Sequence, residues 1–212
     1  MAEAMGLRER KKRDTMGRIY RTALDLFAER GFDKVSVQEI ADASEVSKMT
    51  VFNYFGSKED LVFRPMDEHF DDASRAVRER GAGESAVDAV RRQFLEMIEA
   101  RDPSIGLHGD PFFLKVRRIV QETPVLMERA VVAAQRGIQD LTAVLAQETG
   151  DPVLATVAAN TLMAARNALI QEHHRRLAAG ESPGAVAGDA AERAHRVFRL
   201  VENGLKGYAV KA

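Results

Sequence analysis

The stretch from residue 36 to residue 58 constrains the fold most, because it carries two helix-start signals close together. Ser36 is followed three positions later by Glu39, which is the pattern of a capping box at a helix N-terminus. Ser47 is a second residue of the N-cap type, and the run 42–46 before it interrupts the first helical pattern. The sequence therefore predicts two short helices joined by a tight turn.

Each of these short helices has one apolar face. The apolar residues at helical spacing are Val37, Ile40 and Ala41 in the first helix, and Val51, Tyr54 and Phe55 in the second. Lys48, Met49, Thr50 and Asn53 lie largely outside the second apolar face. Lysine donates to guanine, asparagine pairs with adenine and a threonine methyl touches a thymine methyl. The pattern is typical of a helix-turn-helix that binds DNA, although a small helical hairpin inside an all-α core gives the same stripes.

A longer helix is predicted before this pair, over about residues 7–30, with Gly31 at its end. Ile19, Ala23 and Phe27 recur on one face of that helix. We expect this face to pack on the two short helices and to close a three-helix core.

The N-terminal part resembles the DNA-binding domain of the TetR family of bacterial transcriptional regulators over residues 23–32, 35–41, 46–55 and 57–61. The resemblance does not extend past about residue 65. It implies that the second short helix reads bases and that Ser36 and Lys58 contact phosphates. With the helix cap Ser47 included, the predicted DNA-binding residues are Ser36, Gln38, Ser47, Lys48, Met49, Thr50, Asn53, Tyr54 and Lys58.

Three residues depart from the family pattern. Glu45 stands in the turn where the family usually has glycine, which predicts a turn of slightly different shape. Met49 stands where a small residue is common, and it suggests apolar contact with a thymine methyl. Phe52 replaces a frequent tyrosine and cannot donate a hydroxyl hydrogen bond to a phosphate.

The charge of the whole chain is −1, so any affinity for DNA requires basic groups that are placed locally. Such a cluster lies at the start of the first helix and consists of Arg8, Arg10, Lys11, Lys12 and Arg13. Taken alone, it is a solvated tail. Next to a helix-turn-helix, it indicates an arm that contacts phosphates or the minor groove.

The rest of the chain is predicted to be helical. One helix is expected over residues 58–80, where Pro65 predicts a kink or a break, and another over 84–101 after the glycine-rich linker 81–83. Four pairs of an N-cap residue with a following proline predict further helices over about 111–121, 124–148, 152–179 and 183–208. The fold class is therefore predicted as all-α.

Two domains are expected: an N-terminal helix-turn-helix domain over residues 1–57 and a larger helical domain for ligand binding and dimerisation over 58–212. The last two helices carry stripes of small side chains, which suit close helix packing. In the resembling family two such helices from each chain build a dimer interface, and a monomer core uses the same stripes. A homodimer is favoured because a two-fold operator needs two recognition helices.

A small-molecule pocket is expected in the C-terminal domain, where apolar side chains meet a few polar groups. The candidate ligand-binding residues are Phe94, Phe112, Phe113, Met127, Met163, Asn167 and Gln171. This mixture suggests an apolar effector of unknown identity, while plain core packing explains most of the same residues.

Several other classes of protein are disfavoured. The absence of cysteine excludes disulfides and thiolate metal sites and is compatible with the cytoplasm. No run of about 18 apolar residues is apparent, so no membrane span is expected, and the charged N-terminus does not resemble a secretory signal. His173 and His174 point about 100° apart on a helix, which predicts an exposed basic turn rather than a metal site.

No phosphate-binding loop or nucleophile motif is present, so no enzyme activity, catalytic residue, cofactor or metal is predicted. The predicted function is a ligand-responsive regulator that binds double-stranded DNA. It is expected to be a cytoplasmic, homodimeric bacterial repressor that leaves a palindromic operator when a small apolar effector binds. The alternative is a helical enzyme or partner-binding protein whose helix-turn-helix is structural only.

Overall fold

The computed structural model describes residues 6–67, 71–108 and 110–204, and these contain helices without strands. The α-helices are α1 (Leu7–Arg30), α2 (Val37–Ala43), α3 (Lys48–Phe55), α4 (Asp60–Asp67), α5 (Asp72–Arg78), α6 (Ala86–Glu99), α7 (Pro111–Glu122), α8 (Pro124–Thr149), α9 (Pro152–Ala178) and α10 (Pro183–Asn203). Two short 3-10 helices span Phe32–Lys34 and Pro103–Ile105. The predicted all-α class is confirmed.

The described residues form two compact units. The first unit lies within Met1–Asp67 and Leu114–Ala130, and the second within Glu68–Phe113 and Val131–Ala212. The functional boundary expected between residues 57 and 58 stays a prediction.

The core of the first unit is formed by α1 with α2 and α3, as the apolar stripes predict. Ile19 and Ala23 of α1 are fully buried, and Phe27 contacts Phe32 with 4.9 Å between ring centroids. Ile40 of α2 is also fully buried. Burial of each large apolar side chain contributes about 1.5–3 kcal/mol, so these contacts fix how the short helices lie on α1.

The helix-start signals of the sequence are realised as hydrogen bonds. Ser36 and Glu39 form a complete capping box at α2. Ser47 caps α3, where the Thr50 backbone N–H donates to the Ser47 hydroxyl at 3.0 Å. Each cap satisfies a backbone donor that the helix itself leaves unpaired.

The turn between α2 and α3 keeps the backbone conformation that glycine favours, although Glu45 occupies it. The φ angle of Glu45 is +54°, in the left-handed region. The Val46 N–H donates to the Ala41 carbonyl at 3.0 Å, so a backbone hydrogen bond closes the turn. A side chain with a Cβ atom pays a steric cost in this conformation.

We expect Glu45→Gly to raise the free energy of unfolding by about 1 kcal/mol, because relief of the left-handed strain exceeds the added chain entropy of glycine. Urea unfolding measures the change. Glu45→Ala is the matched control, since it removes the same carboxylate but keeps the Cβ atom. An equal gain in both variants would assign the effect to charge instead.

The segment 58–80, for which a kink or a break at Pro65 is predicted, contains two helices. Helix α4 contains Pro65 and ends at Asp67, and α5 begins at Asp72. Residues 68–70 lie outside the described part of the chain. Pro65 lacks the N–H that would donate to the Leu61 carbonyl, so α4 has one backbone hydrogen bond fewer at this position.

The second unit has a core of α6, α9 and α10. Phe94 of α6 and Phe198 of α10 are fully buried with 6.2 Å between their ring centroids, and Leu162 of α9 is 1% exposed. The four helices predicted to start at proline begin at Pro111, Pro124, Pro152 and Pro183, which confirms those signals.

The prediction of an exposed basic turn at His173 is wrong. Helix α9 continues to Ala178, and His173 is completely buried on its inner face. Its Nδ1 lies 2.8 Å from the Ile105 carbonyl oxygen. Burial lowers the pKa of the His173 imidazole, because the charged form loses its hydration.

Helix α9 also corrects the expectation that no segment is apolar enough to span a membrane. By length and composition alone, α9 meets that requirement. The core helix of a globular protein meets it as well, and α9 packs on α10 and α6 within the second unit.

Candidate functional site

Helix α3 presents the side chains predicted to read DNA on its outer face. Val51 and Phe55 are 1% and 2% exposed in the core, whereas Met49 is 67% exposed and Phe52 38%. Lys48 and Asn53 are also exposed. Because successive helical residues are about 100° apart, burying Val51 and Phe55 turns the intervening residues outward. Lys48, Met49 and Asn53 are therefore accessible to a partner, while their contacts with DNA stay a prediction.

Ser47 and Thr50 contact each other at the N-terminus of α3. Their hydroxyl oxygens lie 2.8 Å apart, and Thr50 is half-buried. The Thr50 hydroxyl is thus held by the cap. Thr50 lies next to Met49 in the first turn of α3. Tyr54 is half-buried, and its carbonyl accepts a hydrogen bond from the Arg64 guanidinium.

The two predicted residues of α2 already have partners within their own helix. The Ser36 hydroxyl donates to Glu39 Oε2 at 2.8 Å, and Gln38 Nε2 donates to Asp42 Oδ1 at 2.8 Å. Both pairs are exposed, so exchange for a DNA partner costs little. Gln38 must give up Asp42 before its amide can reach a base.

The capping box gives Glu39 an unusual acidity. Hydrogen bonds from the Ser36 backbone, from the Arg30 guanidinium and from the Ser36 hydroxyl lower the pKa of Glu39 to about 2. The Arg30 Nη2 atom lies 2.6 Å from Glu39 Oε1, which ties the end of α1 to the start of α2. The ionised carboxylate is therefore part of the framework that carries α3.

We expect stability to fall as the pH drops through the range between 4.5 and about 2, where the Glu39 carboxylate gains its proton. The folded pKa lies below the unfolded one, so the stabilisation is complete above that window and is lost on acidification. Urea unfolding across this range should show a shallower pH dependence in Glu39→Gln than in the wild type. Glu29→Gln, an exposed change on α1, serves as the control and should follow the wild type.

Lys58 lies against an aromatic pair that the sequence reasoning missed. Its Nζ atom lies 4.3 Å from the centroid of the Phe32 ring and 5.7 Å from that of Phe27. Burial is the largest influence on its pKa and lowers it, while Asp33 acts in the opposite direction. A cation over aromatic faces remains charged and is positioned by them. The predicted phosphate contact of Lys58 stays a prediction.

Residues far along the chain also brace the first unit. Arg129 of α8 pairs with Asp60 at the start of α4 and lies 5.1 Å from the Phe63 ring centroid. Lys115 of α7 binds Asp25 of α1, with 2.6 Å between Nζ and Oδ1. No local spacing rule identifies such pairs, because they depend on tertiary packing.

The candidate ligand residues have mixed environments. Phe94 is fully buried in the second core, and Met163 is partly buried against it. Phe112 and Phe113 contact each other edge to face at 5.6 Å between centroids. Three further candidates are exposed, namely Met127 in the first unit and Asn167 and Gln171 on α9. Their common role in ligand binding stays a prediction.

Within the described part of the chain, no group of three or more His, Asp or Glu side chains is placed to hold a metal ion. Helix caps and ion pairs account for many of the carboxylates near the candidate interface.

The segment that contains the helix-turn-helix is similar to a known protein family. Residues 19–64 match the family model described as bacterial regulatory proteins, tetR family. The HTH-type transcriptional regulator TcmR of Streptomyces glaucescens is 32% identical over 123 residues, which cover 58% of this chain and 54% of that protein. The chain thus spans about half the length of this curated relative.

Solved structures share the fold over most of the chain. NalD, the secondary repressor of the MexAB-OprM multidrug efflux pump in Pseudomonas aeruginosa, matches with a TM-score of 0.59 and 18% identity, covering 88% of this chain and 96% of that one. The SmeT–triclosan complex matches with a TM-score of 0.52 and 18% identity over 90% of both chains. At these identities the likeness establishes the helical fold of both parts of the chain.

Proposed function

We propose that this chain is a TetR-family regulator, because its residues 19–64 match the model of that family. In this proposal it is a cytoplasmic, homodimeric repressor that binds an operator through α3 and leaves it when an effector binds. The observation that carries the proposal is the capped α3 with an accessible face of lysine, methionine and asparagine side chains. Those groups match the hydrogen-bond and methyl pattern of the major groove.

The electrostatics of the first unit support this assignment. The residues of the basic cluster at the start of α1 (Arg8, Arg10, Lys11, Lys12 and Arg13) are all exposed. Exposed cations gain affinity for a phosphate backbone by releasing its counterions. This local cluster offsets the absence of net positive charge in the chain.

An exposed apolar stripe on α9 supports the homodimer. Val153, Leu154 and Val157 are 70%, 65% and 59% exposed in the single chain. Large apolar side chains grouped on one helix are typical of a surface that a partner covers. A two-fold dimer would set the two α3 helices about one DNA turn apart, roughly 34–36 Å.

Two proteins of similar fold support control of DNA binding by an effector. SmeT is described in a complex with triclosan, and NalD as a repressor of an efflux pump. A small molecule that favours a wrongly spaced dimer by about 1–3 kcal/mol is sufficient to release the operator.

The proposal is tested by a mobility-shift assay with the DNA upstream of the protein's own gene. We expect a shifted band that resists excess non-specific DNA and a stoichiometry of two chains per site. Binding no stronger than to unrelated DNA would contradict the proposal.

Asn53→Ala should change base preference at one position of each half-site, by about 1–3 kcal/mol, because an exposed amide on α3 is suited to pair with adenine. Selection of binding sites from a randomised pool measures the preference. Gln147→Ala, which removes an exposed amide from α8, is the matched control. An unaltered preference in Asn53→Ala would remove this residue from the reading surface.

Lys58→Ala should weaken binding to all sequences alike and reduce the slope of log affinity against log salt by about 1. Lys115→Ala is the control, because it removes the same charge from the same unit where Asp25 engages it. The measurement is the operator affinity of both variants at several salt concentrations. An unchanged slope of log affinity against log salt in Lys58→Ala would contradict a phosphate contact by this lysine. Its contacts with the aromatic rings would then be its only role.

A further inference from the structure

Arg166 of α9 is a buried cation without a matching acceptor. Its side chain lies in the second unit and is only 6% exposed. Its Nε atom has no hydrogen-bond partner among the described residues. An arginine stays protonated inside a protein, so its burial carries a large desolvation cost unless a partner compensates it.

The one hydrogen bond assigned to the Arg166 guanidinium in the described structure goes to a thioether. Arg166 Nη2 lies 3.7 Å from Met97 Sδ. The amide of Gln93 also donates to this sulfur, at 2.9 Å, and the Gln93 Oε1 atom is buried without a partner. A thioether is one of the weakest acceptors in proteins. Two strong donors therefore share a sulfur atom where an oxygen acceptor would satisfy them.

The nearest charges do not neutralise this cation. The Asp72 carboxylate is 4% exposed and attracts Arg166. Asp72 is also engaged by the Arg75 guanidinium and lies 3.4 Å from Gln93 Nε2. Arg75 pairs with Asp71 as well, with 3.3 Å between Nη1 and Oδ1, so the cluster holds two carboxylates for two guanidinium groups. Asp72 attracts Arg166, but no ion pair joins Arg166 to a carboxylate among the described residues.

A groove of about 540 Å³ in the second unit lies beside the cluster. Its walls include Asp72, Ala76, Gln93, Met97 and Ala100, so it combines polar groups with apolar surface. Met97 lines the groove and also contacts Arg166, which is not itself among the lining residues, so a ligand in the groove reaches the guanidinium only if Met97 moves. Methionine is flexible and readily adopts another rotamer.

We propose that the second unit binds a small organic acid with an apolar body, whose carboxylate takes the place of the Met97 sulfur and accepts hydrogen bonds from Arg166 and Gln93. The carboxylate supplies the oxygen acceptor that Arg166 lacks, and it does so with a negative charge in direct contact with the guanidinium. The apolar body lies along Ala76, Met97 and Ala100.

The walls of the groove also carry Glu79, Glu96 and Asp102 beside Arg75 and Arg92. Arg92 pairs with Glu96, Asp102 accepts a hydrogen bond from the Ser104 backbone, and the exposed Glu79 is screened by solvent. These contacts reduce the repulsion that an entering acid meets.

The role of this acid as the effector rests on the proposed function. The binding of the acid to the second unit does not. Both parts of the experiment therefore use the full-length protein without DNA. If acid binding fails while the operator is bound, this inference falls and the proposed function stands. If no operator is bound, the acid site is still tested.

The first measurement is thermal unfolding without ligand. Arg166→Met removes an uncompensated buried charge and should raise the Tm by about 2–4 °C. Arg91→Met is the matched control, because Arg91 is paired with Asp88 and Glu202 in the same unit. It should leave the Tm unchanged or lower it. A lower Tm in Arg166→Met, or its failure to fold, would assign Arg166 to the framework and overturn the proposal.

The second measurement is calorimetric titration with octanoate and 2-naphthoate, with octanamide and 2-naphthamide as neutral analogues. At least one acid should bind the wild type, and its amide should bind about tenfold to hundredfold more weakly. Arg166→Lys keeps the charge but loses the planar donor pair, and it should weaken the acid several-fold. Arg166→Met should bind acid and amide alike. Binding of neither acid, or equal binding of acid and amide by the wild type, overturns the proposal.

Discussion

The burial of one face of α3 in the core of the first unit, where it packs on α2, is the interaction on which the candidate interface depends. Val51 and Phe55 are held in the core of the first unit, and the helical repeat then directs Met49 and Asn53 to the surface. Neither the caps nor the basic cluster would produce an accessible reading face without this burial. The core of the first unit thus decides which side chains remain available to a partner.

The surface that results carries features that stability alone does not favour. Met49 exposes most of its side chain, and Glu45 holds a left-handed conformation in the turn before α3. Strain and exposed apolar area are typical of sites where function outweighs local stability. The second unit repeats the pattern at Arg166, where a buried charge shares a weak acceptor with Gln93.

The parts of the fold that follow from local chemistry were predictable. The Ser36 and Ser47 caps and the helix starts at proline need only neighbouring residues, and the structure contains them. The prediction for His173 failed because it concerns longer range. His173 is buried because α9 continues past it and packs inward.

The sequence by itself determined where helices begin, which faces are apolar and which residues of α3 face outward, because capping and periodicity act over a few residues. Only the tertiary structure decided that Lys58 lies over Phe32, that Arg129 pairs with Asp60 and that Arg166 is buried beside Met97. These contacts join residues far apart in the chain or in separate helices. Their geometry exists only after the helices have packed, so no local pattern encodes it.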